Sequence, residues 1–440
     1  MSGMRLLSCG VPILIVAMAV RSLAAEGRAT TLGLEAAVQT ALMNNRGLQA
    51  AQFTVWKAKG RLAQAGKWMN PELELAGMSD VLFGNKGEGA FSVGVYQTFP
   101  LTARLGLARE ATRFDVLCAL REIRNQERLL IAETQGAYFH ALESQARAEA
   151  LAGLREAAGK TLAFTRQRIE AGQGGLPEQS LALVEERRIW NEGQEARTDA
   201  ELRTLALKTL LGLEADQPLR LSDSFDTAFA KISTRIPPRP ATLHRPDAEL
   251  LLLEVERAGL EIQLARAEAW SGVRIGVEYT YDQGMDEPEG LGTDHFLGVS
   301  VSLPLPLLDA KEGLIEERSA ARDEASARLR AARLEMGNAV ATALRSVALL
   351  KSRIKEFENE VIQPVAQTEK DLDQAFTRGL VDFRDLLVIR HQQANLELEL
   401  ISLRAQLAAA LIALESASGG HPSVRREYLV PSSKSKAPRL

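Results

Sequence analysis

The sequence has little of what holds an ordinary globular enzyme together. It has two cysteines in 440 residues, Cys9 and Cys118. Cys9 lies in a leader-like N-terminus, so Cys118 would be the thiol of the mature chain. A lone thiol closes no internal disulfide and serves as a small apolar packing group. Aromatic residues make up only 5%, while Ala, Leu, Glu and Arg dominate, a balance that favours long helices and coiled coils. The net charge of −4 excludes a basic surface for nucleic acid. There is no G-x-S-x-G, dinucleotide or P-loop pattern. Gly84 to Gly89 contains Lys86 without the following Ser or Thr, and reads as a hairpin loop. His140, His244, His295, His391 and His421 are scattered, away from any cysteine or carboxylate at zinc-ligand spacing. His391 reads as a lumen or surface residue. Glu/Arg neighbours such as Glu185-Glu186 beside Arg187-Arg188 read as solvated helix faces. No catalytic set, cofactor or metal site is expected, so the chain is not read as an enzyme.

Long apolar runs are also missing after the N-terminus, which excludes a transmembrane helix there. The N-terminus itself has the make-up of a secretory signal, assigned to residues 1–25. Arg5 supplies the positive start, Val11 to Val20 the apolar core, and Ser22-Leu23-Ala24 or Leu23-Ala24-Ala25 the small-x-small cleavage site. That core is shorter than the ~20 residues needed to span a bilayer. The chain is therefore read as exported, and any membrane crossing falls to β-strands.

What is present is one unit twice. A helical pattern from Leu34 to Lys67 ends at Trp68 and Asn70-Pro71; the strand-like Glu72 to Ala76 follows, then the glycine-rich turn, then Phe91 to Phe99 before Pro100. In the second half a helix from Asp247 to Ala269 ends at Trp270; Val273 to Tyr281, a polar turn from Asp282 to Asp294, and Phe296 to Leu303 lead to Pro304. Gly94-Val95 and Pro100 match Gly298-Val299 and Pro304 at a constant offset. Alternation of this kind marks strands, and the length suits a tilted membrane strand. Each hairpin leads into a helical run without proline, from Arg104 to Ala171 and from Ala310 to Gln363. Val340, Val347, Ile354 and Val361, interleaved with Ala343, Leu350 and Phe357, form a coiled-coil seam; Leu396, Leu403 and Ala410 with Leu400, Leu407 and Leu414 form another. A helix of ~65 residues would be about 100 Å long, the reach of a periplasmic tube. The helical hairpins turn at Ala171-Gly172 and Arg378-Gly379, where glycine suits the left-handed residue that ends a helix.

The fold expected is mostly α with a β-barrel portion. Residues 26–213 form the first repeat, with a strand hairpin at about 72–99 and a helical hairpin at about 104–212. Residues 214–246, proline-rich at Ile236 to Pro240, form an irregular equatorial link. Residues 247–418 form the second repeat, with hairpins at about 273–303 and 310–417, and 419–440 a disordered basic tail. Four membrane strands cannot close alone, since single-chain barrels begin at eight strands and an open edge cannot face lipid. The count allows two or three chains; the need for a lumen favours three and a twelve-stranded barrel. Coiled-coil seams without a partner in the same chain point the same way.

These residues in this order resemble the TolC-type outer-membrane efflux proteins. The resemblance is carried by Leu32 to Asn45 (L-x-L-E-A-A-V-x-x-A-L-x-N-N), Asn70 to Leu75 (N-P-x-L-x-L), Gln97 to Pro100 (Q-x-F-P), Arg245 to Leu250, Ser302 to Asp309 (S-L-P-L-P-L-L-D) and Gly379 to Leu387. The segment Ser302 to Asp309 with Glu312 to Ile315 looks most like the cobalt–zinc–cadmium branch, which serves heavy-metal exporters of the resistance-nodulation-division type. The resemblance implies a homotrimer in the outer membrane of a Gram-negative-type cell, with its helices forming a periplasmic tunnel. It implies a periplasmic adaptor docked at Gly172, Leu176, Gly379 and Leu380, an inner-membrane pump, and Asp385 as a pore-constriction acid. One helical turn beyond Asp385 the family's second acid is Val388 here. Asp382 reads equally as a helix cap or as part of a cation-attracting ring with Asp385. Two other readings stand beside this one: a duct for drugs or other small molecules, and a periplasmic coiled-coil adaptor.

Overall fold

The computed structural model describes residues 30–80, 87–172, 175–234, 245–270, 272–286, 290–377 and 383–419. Residues 1–25, read above as a signal, most of the first hairpin loop, and residues 420–440 lie outside them.

The N-terminal helical pattern is two helices rather than one: α1, Leu34–Asn44, and α2, Arg46–Gln64. Asn45 causes the break. Its side chain accepts from the Leu48 amide at 2.9 Å, capping α2, and donates to the Leu210 carbonyl at 3.1 Å. Short polar side chains that bond nearby backbone in this way compete with a continuous helix. Before α1, β1 (Thr30–Leu32) pairs parallel with β4 (Leu219–Leu221). With α5 (Phe225–Ser233), β4 gives regular structure to a stretch that composition alone marks as irregular.

The membrane-type strands are β2 (Glu72–Ser79), β3 (Gly89–Phe99), β5 (Val273–Asp286) and β6 (Gly290–Ser302). They form one four-stranded antiparallel sheet in the order β2-β3-β5-β6. The stretch Asp282 to Asp294, expected as a turn, is largely strand: Asp282 pairs with Asp294 and Asp286 with Gly290. Polarity misled there, because ladder pairing is made by the backbone and continues where the side chains are hydrophilic.

The long helices are α3 (Arg104–Glu170), returning as α4 (Leu176–Leu211), and α7 (Glu312–Phe357), returning as α9 (Phe383–Ala417). At 67 residues, α3 is about 100 Å long. Between α7 and α8 (Gln363–Thr377) lies a π-helical turn, Glu358–Ile362. Pro364 follows directly. It has no N–H for the carbonyl four residues back, and a widened turn absorbs its ring. The helix α6, Pro246–Glu268, leads into β5.

The core lies where these helices pass one another around the middle of α3. Leu34, Leu48, Tyr138, Phe139, Leu207, Ile232, Val347 and Leu407 belong to one buried cluster. The heptad seams lie inside this chain, correcting the expectation that they lack a partner there. Val340, Ala343, Val347 and Ile354 of α7 share that cluster with Leu403, Leu407 and Leu414 of α9, and α9 packs on both α3 and α7. A further seam joins α3 to α4: Leu151, Ala158 and Thr165 face Ala182, Ile189 and Ala196, all buried at heptad spacing. Among the described residues one segment, Val388–Ala417, is apolar and long enough to cross a membrane. Its packing and Arg404, ion-paired to Asp226 and Glu358 at 2.8 Å each, make it a bundle-core helix.

Candidate functional site: a membrane sheet, an equatorial girdle and a helical tip

Because the pleat alternates, the sheet has two unlike faces. On one, register aligns Leu73, Val95, Val277 and Val299, and beside them Leu75, Val93, Tyr279 and Leu297. These side chains are largely exposed, Leu297 at 76% and Val299 at 72%. An apolar face this bare suits lipid. Trp68 and Trp270, both exposed, stand at the foot of the sheet where the helices meet the strands, and Trp68 packs edge-on against Phe99 at 5.6 Å. Amphipathic rings at such a level mark a membrane–water boundary.

The opposite face is polar. It carries Glu72, Glu74, Ser92, Tyr96, Arg274, Glu278, Thr280, Ser300 and Ser302. Tyr96 is buried although it lies in a sheet. Its ring lies against Gly276, directly across the ladder, and against Gly94; a Cβ on Gly276 would overlap the ring. The Tyr96 hydroxyl donates to Glu278 at 3.0 Å, and the Arg274 guanidinium stacks 4.0 Å above the ring. Arg274 also pairs with Glu74, and with Glu72 at 3.5 Å. The charges are thus concentrated on the face opposite the apolar one.

Below the sheet, two polar locks hold the helices at the girdle. Asp223 accepts from the Leu34 amide at 3.1 Å and the Tyr138 hydroxyl at 2.9 Å, and pairs with Lys231 at 2.7 Å. Burial disfavours the Asp223 carboxylate, yet those three donors outweigh it and hold its pKa below the usual range. In the second lock Asp247 pairs with Arg245 at 2.6 Å and Arg128 at 3.5 Å. Burial opposes the Asp247 charge as well, and the two arginines again win. Arg128 and Arg245 donate to the carbonyls of Ser416 and Ala417, each at 2.9 Å, capping the end of α9.

At the first tip Gly172 follows α3 with φ +75°, and its amide donates to Ile169 at 2.9 Å. Gly175 precedes α4, whose first residue, Leu176, is 71% exposed beside Pro177. Gly172 and Leu176 therefore lie at the same end of the α3–α4 helical hairpin, both exposed. Gly379, Leu380 and Asp382 lie outside the described residues; Asp385 falls within α9, in a part where only the backbone is described. Higher up, Arg188 does more than solvate its face. It pairs with Glu185 at 2.8 Å and approaches His391 Nδ1 at 2.8 Å, tying α4 to α9. The helical period exposes Arg188 but says nothing of a partner on the other hairpin.

A model of the family described as outer membrane efflux protein matches residues 37–213 and 239–420. The chain belongs to the outer membrane efflux protein family. Between the two matched blocks lie residues 214–238, most of the link between the halves. Solved structures similar in fold include CusC, 18% identical, with 88% of this chain and 92% of that one covered and a TM-score of 0.72. VceC of Vibrio cholerae is 20% identical, with 88% and 96% covered at 0.66. CmeC, an outer membrane channel of Campylobacter jejuni, is 16% identical, with 88% and 85% covered at 0.68. A search of curated proteins finds no match. The fold is thus that of the TolC-like outer-membrane efflux channels.

Proposed function

We propose that the chain is the outer-membrane duct subunit of a tripartite exporter, working as a homotrimer. The observation that carries this is the two-faced sheet with β2 and β6 as its edge strands among the described residues, set on helices of tunnel length. Three copies would close twelve strands around a lumen lined by the polar face. The paired helices would continue as a tube through the periplasm. The tips at Gly172, Leu176, Gly379 and Leu380 would meet a periplasmic adaptor, with an inner-membrane pump supplying the energy. An adaptor in its own right would not need a lipid-facing sheet, which sets that alternative aside. A passive wall requires no catalytic group, and Asp385, tripled, would add a cation-attracting ring near the tip.

The test is direct. Outer-membrane fractions should hold heat-resistant trimers that conduct in planar bilayers; purely monomeric, soluble periplasmic protein would overturn the reading. For cargo, the likeness of Ser302 to Asp309 to the heavy-metal branch supports cobalt, zinc or cadmium ions. Deleting the gene should then raise sensitivity to at least one of the three. Unchanged tolerance to all three removes the metal cargo, leaves the duct intact, and points to drugs or other small molecules.

A further inference from the structure

We propose that the link from β6 to α7 is a membrane-contact loop, whose crest, Leu307 and Leu308, enters the periplasmic leaflet of the outer membrane. The proposal rests on the duct reading above, which sets the sheet in lipid, and adds a lipid contact outside the sheet.

The two links that lead from the sheet into a long helix are unequal. In the first repeat, residues 100–103 (P-L-T-A) carry β3 into α3. That short link is tied inward: the Thr102 hydroxyl donates to the Ala267 carbonyl at 2.9 Å, holding it against α6. In the second repeat, residues 303–311 (L-P-L-P-L-L-D-A-K) carry β6 into α7.

The extra length forms a crest tied on both sides. The Leu307 amide donates to the Leu305 carbonyl at 2.9 Å, closing a three-residue turn. Asp309 accepts from the Lys311 amide at 2.9 Å and pairs with the Lys311 ammonium at 2.6 Å. Lys311 turns with φ +62°, and α7 begins. Leu307 is 81% exposed and Leu308 fully exposed; no other large apolar side chain among the described residues is so bare.

The level of the crest decides its partner. The link leaves the sheet at its foot, where Ser302 pairs with Arg274 and Trp270 stands just before β5. The tryptophans mark that level as the membrane–water boundary. Alternation carries Leu303 onto the apolar face of Val299 and Val301, so the link sets out from the lipid side. Inside the chain, the joint between one unit and the next (β3 with β5, α3 with α6) is made with the short link. A joint between like units therefore has no use for the crest. Two adjacent leucines gain by leaving water for the apolar boundary of a leaflet, and the Asp309–Lys311 pair beside them would stay among the headgroups.

Single thiols test the placement, in the full chain freed of its own cysteines (Cys9→Ser, Cys118→Ser) and reconstituted in phosphatidylethanolamine–phosphatidylglycerol vesicles. Leu307→Cys and Leu308→Cys each carry an environment-sensitive fluorophore. So do two references, Leu297→Cys on the apolar sheet face and Glu324→Cys, exposed on α7 beyond the loop. A phosphatidylcholine bearing a nitroxide high on its acyl chain should quench the loop labels about threefold more than the Glu324 label, because an interfacial segment lies only ~5–10 Å deep. Aqueous iodide should reach the Glu324 label and spare the loop. Iodide quenching of the loop labels as strong as at Glu324 overturns the proposal, with the loop in water. Shielding from both quenchers overturns it too, with protein covering the crest. In either case lipid quenching at Leu297 leaves the duct reading standing. Without quenching at Leu297 the lipid-facing sheet is wrong, and the loop's place in the leaflet falls with it.

Discussion

At the scale of single residues, the girdle shows how a charge is kept in a helical bundle. Asp247 sits between Arg245 and Arg128, two side chains about nine-tenths buried. An unpaired buried guanidinium costs more than the pair itself contributes. Asp247→Asn should therefore lower stability by about 2–3 kcal/mol, somewhat under the fully buried range because Asp247 keeps some exposure; thermal melting in detergent checks it. The pH dependence follows from the sign of the shift. Asp247 and Asp223 have folded-state pKa values below the usual carboxylate range, so their stabilisation is complete above about pH 4, the ordinary Asp value. It is lost as pH falls from there through the folded values. Melting temperature should be flat from neutral pH to about pH 5 and drop below about pH 4, and Asp247→Asn should shed part of that acid step. Cys118 behaves in the opposite sense. Burial, then the nearby Glu254 charge, pushes its thiol up to about 11, so the native protein should resist iodoacetamide at neutral pH and react once unfolded.

At the scale of elements, junctions carry the specific design. Asn45 ends one helix, caps the next and reaches the Leu210 carbonyl, so Asn45→Ala should cost about 1–2 kcal/mol in a melting assay. In the sheet, Gly276 makes room for the Tyr96 ring. Gly276→Val would expel that ring and with it the stacking of Arg274 on it. Loss of heat-resistant trimers with monomer helicity retained, read by circular dichroism, is the expected outcome. Both junctions are partly legible in sequence: Asn44-Asn45 is a break signal, and Gly276 interrupts a strand of branched residues. Their partners are not legible, because Leu210 and Tyr96 lie more than a hundred positions away.

At the scale of the whole molecule, length and two-sidedness decide the role. The proposed tip contact separates docking from folding. Leu176 is exposed in the monomer, so Leu176→Asp should change stability by no more than about 0.5 kcal/mol and leave trimers in the outer membrane. Export by cells should nevertheless fail. Export at wild-type levels would remove Leu176 from the docking surface.

Much of this plan is written locally. Alternation in Glu72 to Leu75 states which side chains share a face, heptads in α7 and α9 state that those helices pack, and the repeated hairpin states that the chain is made of two like units. Each is a periodicity between near neighbours, and near neighbours follow backbone geometry alone. Tertiary structure decided what those surfaces meet. It turned the seams of α7 and α9 inward to a shared core, put Arg274 beside Glu74, closed Asp247 between Arg128 and Arg245, and left β2 and β6 as the sheet's edges. The longest of these pairings, Arg274 with Glu74 and Arg128 with Asp247, join positions 200 and 119 residues apart, where the free energy depends on how every intervening element is placed and no local pattern records the partner.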